Sequence, residues 1–225
     1  MHGYYDNEQA AQANSIDLYS NAFQTILSQF IGYNTTLILG LNERVAEKIY
    51  NTAVVIENGK LLGKMQKLTT YAPHNYYSLG SKYPIFYKNN IGFGICICCD
   101  INYFNHAHTL SKNGAQIIFC PMWNIIERTH GLLPHMQNKS HLLARAQENY
   151  AWFVGSDVTY NTEKEIGIGA SCIIDPVGNI VATSQALTEN IITYHISIST
   201  LDPKRRLLDR AIQQQKINTY CETAS

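Results

Sequence analysis

Between Ser15 and Ile31, apolar side chains fall at Ile16, Tyr19, Phe23, Ile26, Leu27 and Phe30, a spacing that lines them up on one face of an amphipathic helix. TTLILGL (35–41) is apolar without alternation and predicts a strand buried on both faces. YNTAVVIENGKLLGKMQKL (50–68) predicts a hairpin, because Asn58-Gly59 supplies the positive φ angles of a type I′ turn. YPIFYKNNIGFGICICCD (83–100) predicts a second hairpin, turning at Asn89-Asn90. NYFNHAHTLSKNG then reads as a short helix that stops on Gly114, suited to the C′ position.

The alternation continues. AQIIFCPMW predicts a buried strand, PHMQNKSHLLARAQENY a helix and AWFVGSDVTY a strand. GASCIIDPVGNIVATS predicts a third hairpin turning at PVGN, and NIITYHISIS (190–199) a last strand before a basic helix from Pro203. Strands alternating with helices, mixed with hairpins, imply an α/β fold in which mixed sheet is layered with helices. No period of 20–50 residues recurs, which excludes a solenoid. With no linker in sight, one domain is expected over 1–212, followed by a polar tail over 213–225.

Composition narrows the partners. Seventeen basic against seventeen acidic side chains in 225 residues give a formal net charge of +0, so the basic footprint of a nucleic-acid binder is absent. No apolar run approaches the roughly 18 residues of a membrane span, and no membrane partner is expected. The opening MHGYYDNEQAAQ lacks the basic and apolar regions of a signal peptide, which predicts a cytoplasmic protein whose six cysteines are reduced.

Three of those cysteines crowd into GICICCD (94–100). On a strand, Cys96 and Cys98 share one face and Cys99 takes the other. Cys98 would then lie at the strand's carboxyl end, where open α/β sheets place their ligands. A structural zinc site needs two ligand pairs of wider spacing, and His106 and His108 fall in the following helix, so no metal and no cofactor are expected. Cys96, Cys120, Cys172 and Cys221 read as small buried hydrophobes. A redox pair at Cys98-Cys99 is the weaker alternative, since adjacent cysteines bridge only with strain and the C-x-x-C arrangement is missing.

Four ordered segments carry a resemblance. GFGICICCD followed by LSKNGAQIIFCPMWN, YNTAVVIENGKLLGKMQK, ARAQENYAWFVGSD and GIGASCIIDPVGNIVA together resemble the nitrilase (carbon–nitrogen hydrolase) superfamily over about residues 35 to 200. The resemblance implies a four-layer α-β-β-α sandwich, often dimerised or assembled further as a homo-oligomer, with a Glu-Lys-Cys triad. It makes Cys98 the nucleophile and Lys67 the stabiliser of thiolate and oxyanion. The implied reaction is amidase or carbamoyl-amide hydrolysis of a small linear substrate through a thioester at Cys98. The chemistry is intelligible: the thiolate is the reactive form, a nearby cation favours it, and a carboxylate must move the proton and then activate water.

The carboxylate is where the chain departs from the pattern. In the family the base glutamate ends a first strand of the form P-E-x-x-x-x-G-Y; here Gly3-Tyr4 match, but the glutamate and its strand do not precede them. A second family glutamate, seven residues before a glycine, corresponds to Pro73, with His74 beside it. Glu43 and His74 are therefore the candidate substitute base and proton carrier. Either the sequence lacks a segment of the gene product, or the protein is an impaired relative serving as a binding or regulatory subunit. A missing first strand would also leave TTLILGL as an apolar edge that something must cover. Trp123, Asn124 and Arg128 are candidates to line the substrate pocket, with Arg128 able to pair with a substrate carboxylate.

Overall fold

The computed structural model describes residues 5, 7–70, 74–131 and 133–201. The chain divides into two compact units, Met1–Ile192 and Thr193–Ser225. In the first, β1 (Leu37–Val45), β2 (Lys48–Glu57) and β3 (Lys60–Gln66) form an antiparallel sheet in the order β1-β2-β3. The second hairpin gives β4 (Phe86–Lys88) and β5 (Ile91–Ile95), followed by β6 (Ile117–Pro121), β7 (Ile126–Glu127), β8 (Trp152–Ser156), β9 (Thr159–Asn161), β10 (Glu165–Ile168), β11 (Cys172–Ile174) and β12 (Ile180–Thr183). A mixed sheet runs β12-β11-β8-β6-β5-β4, with β5, β6 and β8 parallel, and a small sheet runs β7-β10-β9. Among the described residues the α-helices are α1 (Glu8–Ala13), α2 (Asn21–Ser28), α3 (Phe104–Lys112) and α4 (Leu133–Asn149).

Strand alternation sorts the apolar residues into layers. Phe23 and Leu27 of α2 pack on Leu41, Val54 and Ile56, one face of the three-stranded sheet. The other face presents Ala53, Val55 and Met65 to Phe86, Phe93 and Ile95 of the mixed sheet. Beyond these, Ile118, Cys120 and Phe153 face Ala107 and Leu110 of α3 and Leu142 and Ala146 of α4. Helix, sheet, sheet, helix: the expected four-layer α-β-β-α sandwich is the observed one.

The turns behave as the sequence predicts. Asn58 and Gly59 take φ of 47° and 70°, and Asn89 and Asn90 take 50° and 64°. Gly114 ends α3 at φ 108°, and its carbonyl lies so close to Gly92 that a Cβ there would sit 2.4 Å from the oxygen.

Other expectations need correction. The helix expected over 15–31 shrinks to Asn21–Ser28, because Asp17 accepts from the Tyr19 amide and Ser20 caps α2 by accepting from Phe23, local bonds that favour a turn. Ile16 instead forms a parallel bridge to Glu43, its N–H donating to Asn42 and its carbonyl accepting from Arg44, so this end of the β1 edge is covered. The strand expected at 35–41 continues to Val45 and pairs directly with β2 through a turn at Ala46, φ 52°; its residues 37–40 are half-buried, not buried on both faces. AWFVGSDVTY splits into β8 and β9, because the Asp157 carboxylate turns the chain by accepting from the Val158 amide. Residues 190–199 form no strand, for no described strand pairs with them; a short 3-10 turn at Ile198–Leu201 stands in the second unit. The basic helix from Pro203 and the tail at 213–225 lie outside the described residues. Among the described residues, no helix is long and apolar enough to cross a membrane.

Candidate active site

The carboxyl ends of the parallel strands β5, β6 and β8 lead into three loops that meet at one place, the position where such sheets gather ligands. After β5 the chain enters a 3-10 turn, Cys98–Asn102, and Cys98 opens it at φ 49°. A left-handed conformation at a non-glycine residue is uncommon and carries strain. The strand reading of 94–100 is thus corrected: β5 stops at Ile95, Cys96 is fully buried in the core, and Cys98 is half-buried on the turn, touching both hydrophobic layers that flank the sheet.

Lys67 follows β3 on the inner face. Its neighbour two residues back, Met65, packs between the sheets, and alternation carries the Lys67 side chain the same way. Its ammonium donates to the carbonyl of Ile97, the residue before Cys98, and lies 3.7 Å from an Asp100 carboxylate oxygen. Lys67 is 4% exposed and Asp100 0%, so this charge pair is withdrawn from water.

From the β6 side, the Asn124 side-chain oxygen accepts from the Cys98 thiol, with the two atoms 3.8 Å apart, and also from the Asn138 amide at 2.9 Å. Asp157, after β8, holds Asn124 in place: its carboxylate accepts from the Asn124 backbone N–H at 3.0 Å and from the side-chain amide at 3.1 Å. The Trp123 backbone N–H favours the ionised form of the Cys98 sulfur. Burial pushes the Cys98 thiol up from its ordinary value; the Lys67 charge and the Trp123 N–H oppose that rise, while Cys99 and Asp157 add to it. The resting group is a thiol waiting to be ionised.

Of the residues singled out from sequence, Cys98, Trp123 and Asn124 meet here, with Lys67 on the adjoining carbonyl. His74 lines a small cleft together with Lys67, Asn51, Thr69 and Tyr77, and its Nδ1 is 3.2 Å from the Tyr76 hydroxyl. Pro73 lies outside the described residues.

Glu43 and Arg128 are placed elsewhere. Glu43 follows Leu39 and Leu41 in β1 at even spacing, so it shares their helix-covered outer face and not the inner face that carries Lys67. There it accepts from Thr52 and Gln66, each at 2.9 Å, and pairs with Lys64. Arg128 is exposed and spends its guanidinium on the Thr162 carbonyl and the Asn161 side chain. Neither contact belongs to the Cys98 cluster.

Sequence reading left Asp100, Asp157 and Arg145 without roles. Asp100 closes the Cys-x-Asp step of the Cys98 turn, Asp157 ends AWFVGSD, and Arg145 of ARAQEN donates from Nε to the Ile101 carbonyl at 3.1 Å, fastening α4 to that turn. Their positions inside quoted motifs were the available signal.

The carbon-nitrogen hydrolase family model matches residues 2–206. A probable nitrilase of Schizosaccharomyces pombe is 26% identical over 191 residues, covering 82% of this chain and 68% of that protein. A glutamine-dependent NAD(+) synthetase of Aquifex aeolicus is 23% identical over 215 residues, covering 93% of this chain but 37% of the synthetase, so the chain spans about a third of that relative's length. Among solved structures, an amidase from Nesterenkonia sp. AN1 superposes with a TM-score of 0.72 at 18% identity, covering 93% of this chain and 81% of the amidase. With the family model spanning nearly the whole chain and the four-layer fold in place, this chain belongs to the carbon–nitrogen hydrolase family.

Proposed function

We propose that the chain hydrolyses the carbon–nitrogen bond of a small linear amide or carbamoyl compound, with Cys98 as nucleophile. The observation that carries the reading is the meeting of a strained Cys98, on the turn that follows β5, with the Lys67 ammonium, one carbonyl away. Cys98 sulfur attacks the substrate carbonyl, and Lys67 with the Trp123 N–H stabilises the oxyanion. The C–N bond breaks as the nitrogen takes up the proton that the Cys98 thiol gave up on attack, and His74, in the cleft beside Lys67, is the carrier this reading assigns to move that proton. The acyl group stays on Cys98 as a thioester until water releases it as an acid. Trp123 and Asn124 border the acyl group, and Arg128 has no part. A homodimer fits the reading, since Phe104 in α3 and Leu133 and Met136 in α4 expose apolar surface that a second copy would cover.

A second reading rests on a specific observation. Asp100, two residues along the turn from Cys98, and Asp157, which holds Asn124, are both occupied by donors: Asp157 accepts from Asn124, Val158 and Ala170, and Asp100 from Leu68, Thr69 and Ile97. Glu43 is on the far face. Among the described residues the site offers no free carboxylate, which suits a binding or regulatory subunit that retains the fold.

A panel of linear amides, nitriles and carbamoyl compounds separates the two, assayed with the chain and its Cys98→Ala variant. Release of ammonia or amine that the variant abolishes supports the hydrolase. Saturable binding of a panel compound without product, unchanged in Cys98→Ala, supports the binding subunit.

A further inference from the structure

Asp100 is fully buried, and its contacts divide unevenly. A carboxylate at this position in a 3-10 turn needs one partner to cap it, and the Ile97 amide supplies that at 3.1 Å from Oδ2. Every other donor comes from the segment that carries the lysine. Oδ1 accepts from the Leu68 amide at 3.2 Å, the Thr69 amide at 3.0 Å and the Thr69 hydroxyl at 2.7 Å, and lies 3.7 Å from the Lys67 ammonium. One side chain thus binds the backbone just after Lys67 and the backbone just before Cys98.

We infer that Asp100 is the positioning residue of the Lys67–Cys98 pair, holding the ammonium at the nucleophile turn and keeping it charged there. The inference rests on the reading of Cys98 as the nucleophile. The physical need is plain. Two loops from different hairpins must be held in register against thermal motion, and a carboxylate accepting several N–H and O–H donors is a strong fixed point. A buried ammonium without a counter-charge tends to lose its proton, and a neutral amine would no longer favour the thiolate.

The sign of the effect distinguishes this role from others. As a bare negative charge Asp100 would oppose ionisation of Cys98, and replacing it would make the thiol more acidic. As the holder of Lys67 it does the reverse, and replacing it makes the thiol less acidic. The experiment is the pH dependence of Cys98 alkylation by iodoacetamide, read by peptide mass spectrometry on the full chain, for the wild type, Asp100→Asn, Lys67→Met and the double variant. Each single change should raise the apparent thiol pKa by about one unit, about tenfold slower alkylation below it. The double variant should go no further than Lys67→Met alone, because both remove the same effect.

An unchanged profile, a lowered pKa, or a full extra shift on top of Lys67→Met would overturn the inference. If Asp100→Asn does not fold, Thr69→Val serves: it removes the 2.7 Å donor and leaves the carboxylate, and should give a smaller shift of the same sign, a wild-type profile counting against the inference. Alkylation is independent of amide turnover, so a chain that hydrolyses nothing while showing the shift sinks the hydrolase reading and leaves Asp100 in its role.

Discussion

The ammonium of Lys67 donates to the carbonyl of Ile97, thirty residues further along the chain. That bond joins the ends of β3 and β5, which belong to different sheets, across the interface where Met65 meets Phe93 and Ile95. The two sheets must therefore pack face to face before any chemistry at Cys98 is available. Sandwich and site are one construction.

The first prediction concerns which thiol reacts, and at what pH. Burial raises the Cys98 thiol, so its thiolate is scarce at neutral pH and its alkylation should quicken as pH rises through and beyond the ordinary thiol range of about 8.5. Cys96 and Cys120 are fully buried, with thiols also pushed up by burial, and should stay unlabelled while the chain is folded. Limited alkylation followed by peptide mapping should find the label at Cys98. Preferential labelling of Cys99 would show that the nucleophile register is wrong.

Glu43 should matter for stability and not for chemistry. Its carboxylate is 2% exposed and receives Thr52, Gln66 and Lys64 on the outer face of the sheet. Glu43→Gln keeps the shape but removes the charge and turns a donor toward other donors. Lys64 is 37% exposed, which discounts the ion pair, so a loss of about 1–3 kcal/mol is expected in urea denaturation. The pH profile of Cys98 alkylation should not move. A moved profile with unchanged stability would return Glu43 to the site.

That contrast shows what was legible in the sequence. Asn58-Gly59 and Asn89-Asn90 announced their turns because a positive φ is a local demand met by few residue types. Cys98 and Lys67 were legible through the motifs around them. The face of Glu43 was not, since it depends on where β1 stops: ended at Leu41, the strand leaves Glu43 in a loop, but extended to Val45 it fixes Glu43 beside Leu41 on the outer face. The contacts of Asp100 with residues 67–69 were hidden for another reason. They are tertiary, and no periodicity in the neighbourhood of residue 100 encodes a partner thirty residues away. The strand expected at 190–199 failed because alternation shows that a segment can be a strand, not that a neighbour is there to complete its hydrogen bonds.

His74 can be tested apart from Cys98. In the proposed reaction its imidazole delivers the proton that the leaving nitrogen needs, and glutamine of similar reach cannot. His74→Gln should lower the rate of amine release by about 10²–10⁴-fold, with KM changed far less and Cys98 alkylation unaltered. A fall confined to KM would make His74 a substrate contact and not a proton carrier.

The last prediction follows from the occupied carboxylates. Forming the thioester requires an ionised Cys98 and a stabilised oxyanion, and Lys67, the Trp123 N–H and His74 can serve those needs. Breaking it requires a base to activate water, and Asp100 and Asp157 already hold their full sets of donors while Glu43 faces the other way. Loss of general-base assistance costs about 10²–10⁴-fold, so the 225-residue chain should acylate faster than it deacylates. Mixed with an activated ester or a reactive amide and quenched in acid, it should show a mass increase equal to the acyl group, located at Cys98. Product should appear as a burst of about one equivalent followed by a slow phase, and added hydroxylamine, which attacks thioesters without needing a base, should speed that phase. Steady turnover from the first cycle, with no acyl adduct and no response to hydroxylamine, would mean that a base reaches the thioester, either His74 once it has delivered its proton or a carboxylate freer than its hydrogen bonds indicate.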